Sequence, residues 1–438
     1  MKILSLLNRH IISRLSNLRI QSKSLSFYLL SAVLSSIIGI LLNPFLASNL
    51  SYTDYAIIGY FTSFNLLVLP IVSFSLLSYY SRNYFIIEEK DRQSVLNTLL
   101  ISQILIGTVG LVITLIGIYI FFQTAKVGFD FYPYAILCYI PVFFNCFYNF
   151  LLVERKMQKK ASSYFKISLF FVLTTALFSI LLVVIIKGGA TGRFWSILIP
   201  SVAFGIYSIW KLLSGLTFSK EVFKKAMSFG WPISLSAILY YFLSGVDRAF
   251  LEPLNDNLNF GLYNVAMQII SYLFVFYTAI SNTFEPDIYK SIAENNKKRL
   301  FRIFSGIVLL NAIPVIIFIL LVNPIVDVLT FGRYTASSRF AQILALRNIP
   351  MAFCFLISNI IIGYGYPIME LTNRLIGAIF SIIIFKILIG RYGFYGAAWG
   401  HTITFVFMSL VSLTFIVYKL YIKRVKLPRI EKIDFNGD

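Results

Sequence analysis

Five cations and two carboxylates stand inside long apolar runs of this chain: Lys166, Arg248, Arg347, Arg374 and Lys386, with Asp247 and Glu370. A charge in hydrocarbon costs at least about 2.5–3.5 kcal/mol on insertion scales, so each needs a partner, a route to the interface or a function. Asp247 and Arg248 are adjacent, and Arg347 enters its run from the same side at a similar depth, where it could pair with Asp247 across a helix bundle. Glu370 and Arg374 have the spacing of an i,i+4 ion pair. Lys166 and Lys386 have stems long enough to snorkel. Cations are in surplus, and a cavity lined by them suits an anionic headgroup, whereas a cavity for cationic drugs needs surplus carboxylates. Arg248, Arg347, Arg374, Lys386 and Lys166 are therefore the expected anion-binding residues. Asp247 and Glu370 are the expected ion-pair or ion-coupling residues.

Other chemistries have little to build on. Cys138, Cys146 and Cys354 all fall in apolar runs, which suits packing better than a disulfide framework or a metal site. The two histidines are His10 and His401, and there is no H-E-x-x-H, Gly-rich phosphate loop or G-x-S-x-G pattern. No cofactor, no metal and no enzymatic activity are expected.

The elements that must position these charges are membrane helices. Apolar residues make up 58% of the 438 positions and charged residues 13%, with a mean hydropathy of +0.81. A globular chain carries roughly 25% charge, so this one cannot coat a water-facing surface. Runs of about 20 apolar residues predict twelve spans, near 26–46, 55–80, 95–122, 132–153, 164–186, 194–214, 231–251, 260–283, 301–322, 340–363, 369–389 and 395–418. The net charge of +20 is gathered in short clusters between runs, which points to topology signals and lipid headgroups and away from nucleic acid. Counting alternate loops gives 27 cations on one side and 6 on the other, which predicts an even number of spans with both termini in the cytoplasm. Residues 1–24 read as a basic amphipathic segment at the membrane surface and 419–438 as a basic cytoplasmic tail. Nothing marks the first span as a cleaved signal.

The pattern [KR]-x-G-x-x-G-x-x-W occurs twice, as Lys187, Gly189, Gly192, Trp195 and as Arg391, Gly393, Gly396, Trp399, a shift of 204. Glycine suits a tight turn and tryptophan an interfacial anchor. Six spans separate the copies, so the halves have one orientation, a parallel repeat typical of transporters. The expected organisation is an all-α polytopic membrane protein of about twelve helices: an N-terminal six-helix bundle at 25–214, a cytoplasmic linker at 215–229 and a C-terminal six-helix bundle at 230–418.

Several stretches resemble one family. Ser244-Gly245-Val246-Asp247-Arg248-Ala249-Phe250-Leu251 with Phe260-Gly261-Leu262-Tyr263-Asn264-Val265-Ala266, then Phe284-Glu285-Pro286-Asp287-Ile288-Tyr289, Phe331-Gly332-Arg333-Tyr334 and Gly393-Phe394-Tyr395-Gly396-Ala397-Ala398-Trp399, are similar in order and spacing to bacterial polysaccharide transporters, the O-antigen flippases (Wzx type) of the MOP superfamily. The resemblance implies a MATE/MOP-like fold of two six-helix bundles working by alternating access in the bacterial inner (plasma) membrane. The substrate it implies is an undecaprenyl-diphosphate-linked oligosaccharide, moved from the cytoplasmic to the periplasmic leaflet. Implied partners are the bilayer and other polysaccharide assembly proteins, such as a polymerase or chain-length regulator. The alternatives are a MATE-like multidrug or small-molecule exporter and a lipid II flippase. Such exporters commonly carry an acidic residue in the first helix, and residues 26–46 have none; lipid II flippases commonly carry fourteen helices.

Overall fold

A computed structural model describes residues 34–418 apart from 85–86, 295 and 364–366. The basic segment 1–24 and the tail 419–438 lie outside the described residues. Among the described residues every regular element is helical: α1 (Leu34–Asn49), α2 (Tyr52–Ser63), α3 (Asn65–Ser73), α4 (Leu76–Asn83), α5 (Arg92–Ala125), α6 (Tyr134–Met157), α7 (Ala161–Ser179) running into a π-helical turn (Ile180–Ile185), α8 (Gly189–Leu212), α9 (Lys220–Ser244), α10 (Asp247–Leu251) with a 3-10 turn (Glu252–Leu254), α11 (Asn257–Ala293), α12 (Lys297–Leu320), α13 (Val322–Thr330), α14 (Ser337–Leu346), α15 (Asn348–Gly363) and α16 (Pro367–Val417). Hydrocarbon leaves backbone groups no partner outside the segment, which is why such a chain resolves into helices. Nine stretches among the described residues are long and apolar enough to cross a membrane, and one of them, Ile368–Val417, is bent at Gly393. With that bend, and with α1 and α11, they account for the twelve expected spans.

The repeated glycine–tryptophan pattern builds the same reversal twice. Gly189 and Gly393 both adopt φ of 55°, a left-handed conformation that glycine enters without steric cost. Three residues on, the chain folds back against the preceding helix. A Cβ on Gly192 would lie 2.7 Å from the Leu182 carbonyl oxygen, and one on Gly396 only 2.0 Å from that of Leu388. Trp195 and Trp399 are both exposed beside these turns, at 43% and 45%, as interfacial anchors should be.

Contacts divide the chain into two units. Among the described residues the first comprises 34–50 with Leu67–Leu235 and the second Ser51–Leu66 with 236–418, so the division falls inside α9. In the first unit α5, α6 and α8 pack around buried Tyr80, Leu99, Phe147, Phe150 and Leu151. The second expected span is broken there: after Pro70, Phe74 and Ser75 both take positive φ and separate α3 from α4. The carbonyl of Val72 beside the break is satisfied by the Gln103 amide at 2.8 Å. Asn97 holds the 213–219 loop, donating to the Ser214 carbonyl and the Thr217 hydroxyl, both at 2.9 Å.

In the second unit α2 lies along α11, and α15 along α16. The first of these contacts is intimate: a Cβ on Gly59 would fall 2.0 Å from the Asn264 side chain, and one on Gly261 2.3 Å from the Tyr52 carbonyl oxygen. Tyr52 and Tyr55 add edge-on contacts to Tyr334 at 4.8 and 5.2 Å.

Candidate functional site

The strongest constellation of polar groups lies within the second unit. It begins where α9 stops at Ser244. The amides of Gly245 and Val246 both bond the Tyr241 carbonyl, at 2.7 and 3.1 Å, and the helix restarts at Asp247 as α10. Only a glycine fits position 245, because a Cβ would stand 2.8 Å from the Tyr241 ring and 3.0 Å from the Ser63 carbonyl oxygen. This tight passage delivers Asp247 into the bundle, where its side chain has no solvent exposure.

Three side chains from three elements converge on that carboxylate. Arg248 Nη1 lies 3.3 Å from Oδ1; the Tyr263 hydroxyl, on α11, donates to Oδ2 at 2.6 Å; and His401 Nε2, on α16 beyond the Gly393 bend, lies 3.1 Å from the same oxygen. Arg248 is further held by Nε, 3.3 Å from Asn264 Oδ1, and by Nη1, 3.1 Å from the Ser244 carbonyl oxygen. His401 is wholly buried and packs edge-on against Phe385, with ring centroids 5.0 Å apart.

Arg347, between α14 and α15, is within electrostatic reach of Asp247, Arg248, Tyr263 and His401 but makes no ion pair with Asp247. The expected Asp247–Arg347 bridge is not formed because Arg248, Tyr263 and His401 already occupy the carboxylate. Arg347 Nη1 contacts the Met267 sulfur at 3.4 Å, and its buried Nε has no hydrogen-bond partner. It is thus a cation without a carboxylate, and its neighbourhood has a formal surplus of positive charge.

The other expected residues stand apart from this cluster. Arg374 and Glu370 form the i,i+4 pair, with Arg374 Nε 2.8 Å from Oε1, and Arg374 Nη1 also reaches the Ser236 carbonyl at 3.3 Å. Glu370 is buried, and its second oxygen has no hydrogen-bond partner. Lys386 is exposed on α16. Lys166, in the first unit, is exposed at the edge of a cleft of about 650 Å³ between α7 and α8, lined by Phe170, Leu173, Phe204 and Tyr207.

Sequence reasoning passed over two participants in this cluster and one buried carboxylate of the first unit. His401 was visible as a polar residue in an apolar run, the same signal that singled out Asp247. Tyr263 was hidden among many aromatic residues. Glu154 stands beside Arg155 and Lys156 and reads as a loop charge, yet α6 continues to Met157 and buries it, bonded by the Tyr80 hydroxyl and the Gln158 amide. Among the described residues no group of three His, Cys, Asp or Glu side chains is placed to hold a metal ion.

Fold and site together define a multi-span membrane protein of the MATE/MOP architecture. The structure aligns with an inward-facing multidrug resistance MATE family transporter of the MOP superfamily at a TM-score of 0.68 and 14% identity, covering 89% of this chain and 95% of that one. It aligns with the lipid II flippase MurJ, in an inward closed conformation, at a TM-score of 0.65 and 17% identity, covering 90% and 87%. A MatE model matches residues 232–387. The chain belongs to the polysaccharide biosynthesis protein family, whose model matches residues 22–286. Among curated proteins it is 26% identical over 275 residues to protein 1 of the Lsg locus of Haemophilus influenzae, covering 61% of this chain and 65% of that protein. It is also 26% identical over 247 residues to an uncharacterized membrane protein of Methanocaldococcus jannaschii, covering 51% and 58%. The match therefore spans less than two thirds of the length of either relative.

Proposed function

We propose that this protein is a flippase that carries an undecaprenyl-diphosphate-linked oligosaccharide, an O-antigen or related surface-glycan repeat unit, from the cytoplasmic to the periplasmic leaflet by alternating access. Moving a diphosphate and its sugars through hydrocarbon without help costs tens of kcal/mol, far beyond thermal reach. A cationic site inside a helical bundle lowers that barrier while the prenyl chain stays in lipid. The observation that carries the reading is Arg347, a cation without a carboxylate partner whose buried Nε lacks an acceptor. A phosphate oxygen supplies the missing acceptor, and an arginine fork matches phosphate geometry.

Arg248 is less available to substrate than its position in the sequence implies, because Asp247, Asn264 and the Ser244 carbonyl hold its Nε and Nη1. Arg374 offers a second, partly committed contact, with Lys386 and Lys166 as peripheral cations. Export of small molecules remains the alternative reading, and the MatE match over 232–387 is what favours it. The setting proposed is a bacterial inner membrane, with both termini in the cytoplasm and polysaccharide assembly proteins as neighbours.

The test is flipping of labelled undecaprenyl-diphosphate oligosaccharide in proteoliposomes. Arg347→Gln should lower the rate roughly tenfold to a hundredfold, the value of one charge-assisted hydrogen bond of about 1.5–3 kcal/mol, with unchanged protein incorporation. Wild-type rates in Arg347→Gln, or no flipping by the wild-type protein, overturn the reading.

A further inference from the structure

The imidazole of the Asp247 cluster carries a buried nitrogen with no hydrogen-bond partner. The carboxylate accepts from Arg248 at Oδ1 and from Tyr263 at Oδ2. His401 Nε2 faces Oδ2 at 3.1 Å, and two lone pairs cannot meet at that distance, so Nε2 carries the hydrogen and donates. Both lone pairs of Oδ2 are thus taken and Oδ1 faces the Arg248 guanidinium, so three donors favour the ionised carboxylate. The neutral ring leaves its lone pair on Nδ1, which is buried and has no hydrogen-bond partner. Nδ1 can accept a proton without displacing a bond already made.

The charges around the ring set the condition for filling that position. From the α9–α10 passage come Asp247, Arg248 and the hydroxyls of Tyr240 and Tyr241; from α11, Tyr263; from the α14–α15 junction, Arg347; and from α16 itself, the apolar Phe385. With His401 neutral, one carboxylate stands against two guanidinium groups, a formal +1. Protonation makes it +2 in a buried, lipid-surrounded bundle, where uncompensated charge is strongly disfavoured. An anion delivered to Arg347 removes that obstacle.

We propose that His401 is the proton-binding group of this cluster and that proton uptake at its Nδ1 is positively linked to the binding of a phosphate-class anion at Arg347. The inference rests on the anion reading of Arg347 and assigns it a regulator. Asp247 becomes a positioning residue, fixing the tautomer that leaves Nδ1 open. Linkage is reciprocal, so the anion binds more tightly as pH falls, and the proton more tightly when the anion is present.

The chain has two histidines, so His10→Gln leaves His401 as the single reporter. In that background, ¹⁵N-histidine NMR of the protein in nanodiscs follows imidazole and imidazolium from about pH 5.5 to 8.5, the window in which histidine titrates. The probe is inorganic pyrophosphate. Saturating pyrophosphate should shift the proton-binding midpoint toward higher pH by roughly tenfold in affinity, within the range of ordinary coupling energies. Arg347→Gln should shift it in the same direction with no anion added. In the binding arm, pyrophosphate affinity is compared between His401 and His401→Gln, which keeps a donor for Asp247; the probe's own ionisation is common to both and cancels. The wild-type protein should gain affinity as pH falls more steeply than the variant. A midpoint indifferent to both pyrophosphate and Arg347→Gln, with pyrophosphate bound, overturns the linkage and leaves the anion reading standing. Failure of pyrophosphate to bind at all overturns the anion reading and the linkage with it.

Discussion

Arg248 and Arg347 are separated by their partners more than by their chemistry. Removing Arg248 strips Asp247 of a cation and leaves Asn264 and the Ser244 carbonyl short of a donor. Breaking one side of a buried pair costs about 3–5 kcal/mol, so Arg248→Ala should lower the thermal transition and the amount of protein recovered from the membrane. Arg347→Gln removes an unpaired charge and should leave both near wild type while lowering transport; fluorescence-detected size-exclusion profiles after heating distinguish the two. Sequence alone marks both arginines, because a charge in an apolar run is conspicuous. It cannot rank them, since what commits Arg248 is Asn264, sixteen positions away, and what completes the cluster is His401, 154 positions from Asp247. Asp247 and Arg248 announce themselves by formal charge and His401 by polarity in an apolar run, whereas Tyr263 is one aromatic residue among many.

At the level of helices, apolar run length predicts where the chain crosses the membrane but misses where helices continue past it or break within it. The run near 231–251 starts within a helix that begins at Lys220 and crosses its stop at Ser244, and the run near 260–283 belongs to one that reaches Ala293. Polar turns extend both, and a search for hydrophobicity does not see them. The break at Phe74–Ser75 is equally silent, because neither residue type favours positive φ. The glycine turns were legible because they repeat, and they are testable as a graded series. Gly396→Ala should abolish accumulation of folded protein, since its Cβ would meet the Leu388 carbonyl at 2.0 Å; Gly192→Ala, at 2.7 Å from the Leu182 carbonyl, should be less severe. Gly117→Ala, with nothing within 4 Å in the middle of α5, should be neutral or stabilising by up to about 1 kcal/mol. The yield of folded protein ranks the three variants, and thermal stability separates Gly192→Ala from Gly117→Ala.

For the molecule as a whole, the distribution of basic loops fixes the expected orientation, and the native thiols leave the surface clear for testing it. Cys138, Cys146 and Cys354 are all buried, so a cysteine introduced at an exposed position reports alone. Lys160→Cys should react with a membrane-impermeant maleimide only when the cytoplasmic face is open, and Val328→Cys from the outside of intact cells. Reversed labelling overturns the orientation. Direction also bears on driving force. A diphosphate leaving a negative interior gains about 2.3 kcal/mol per charge per 100 mV. In proteoliposomes a potassium-diffusion potential without a pH or sodium gradient should therefore accelerate flipping; acceleration by a pH or sodium gradient alone would assign the driving force to ion coupling.

The contact of α2 with α11 has a consequence for how the protein is made. Gly59 and Tyr52 are seated against Asn264 and Gly261, which leave the ribosome roughly 200 residues later, about 10–40 s at ordinary elongation rates. During that interval α2 is in the membrane with its tightest docking surface unmatched, so early synthesis of this chain calls for a temporary companion, from the insertion machinery or from lipid, that α11 later displaces.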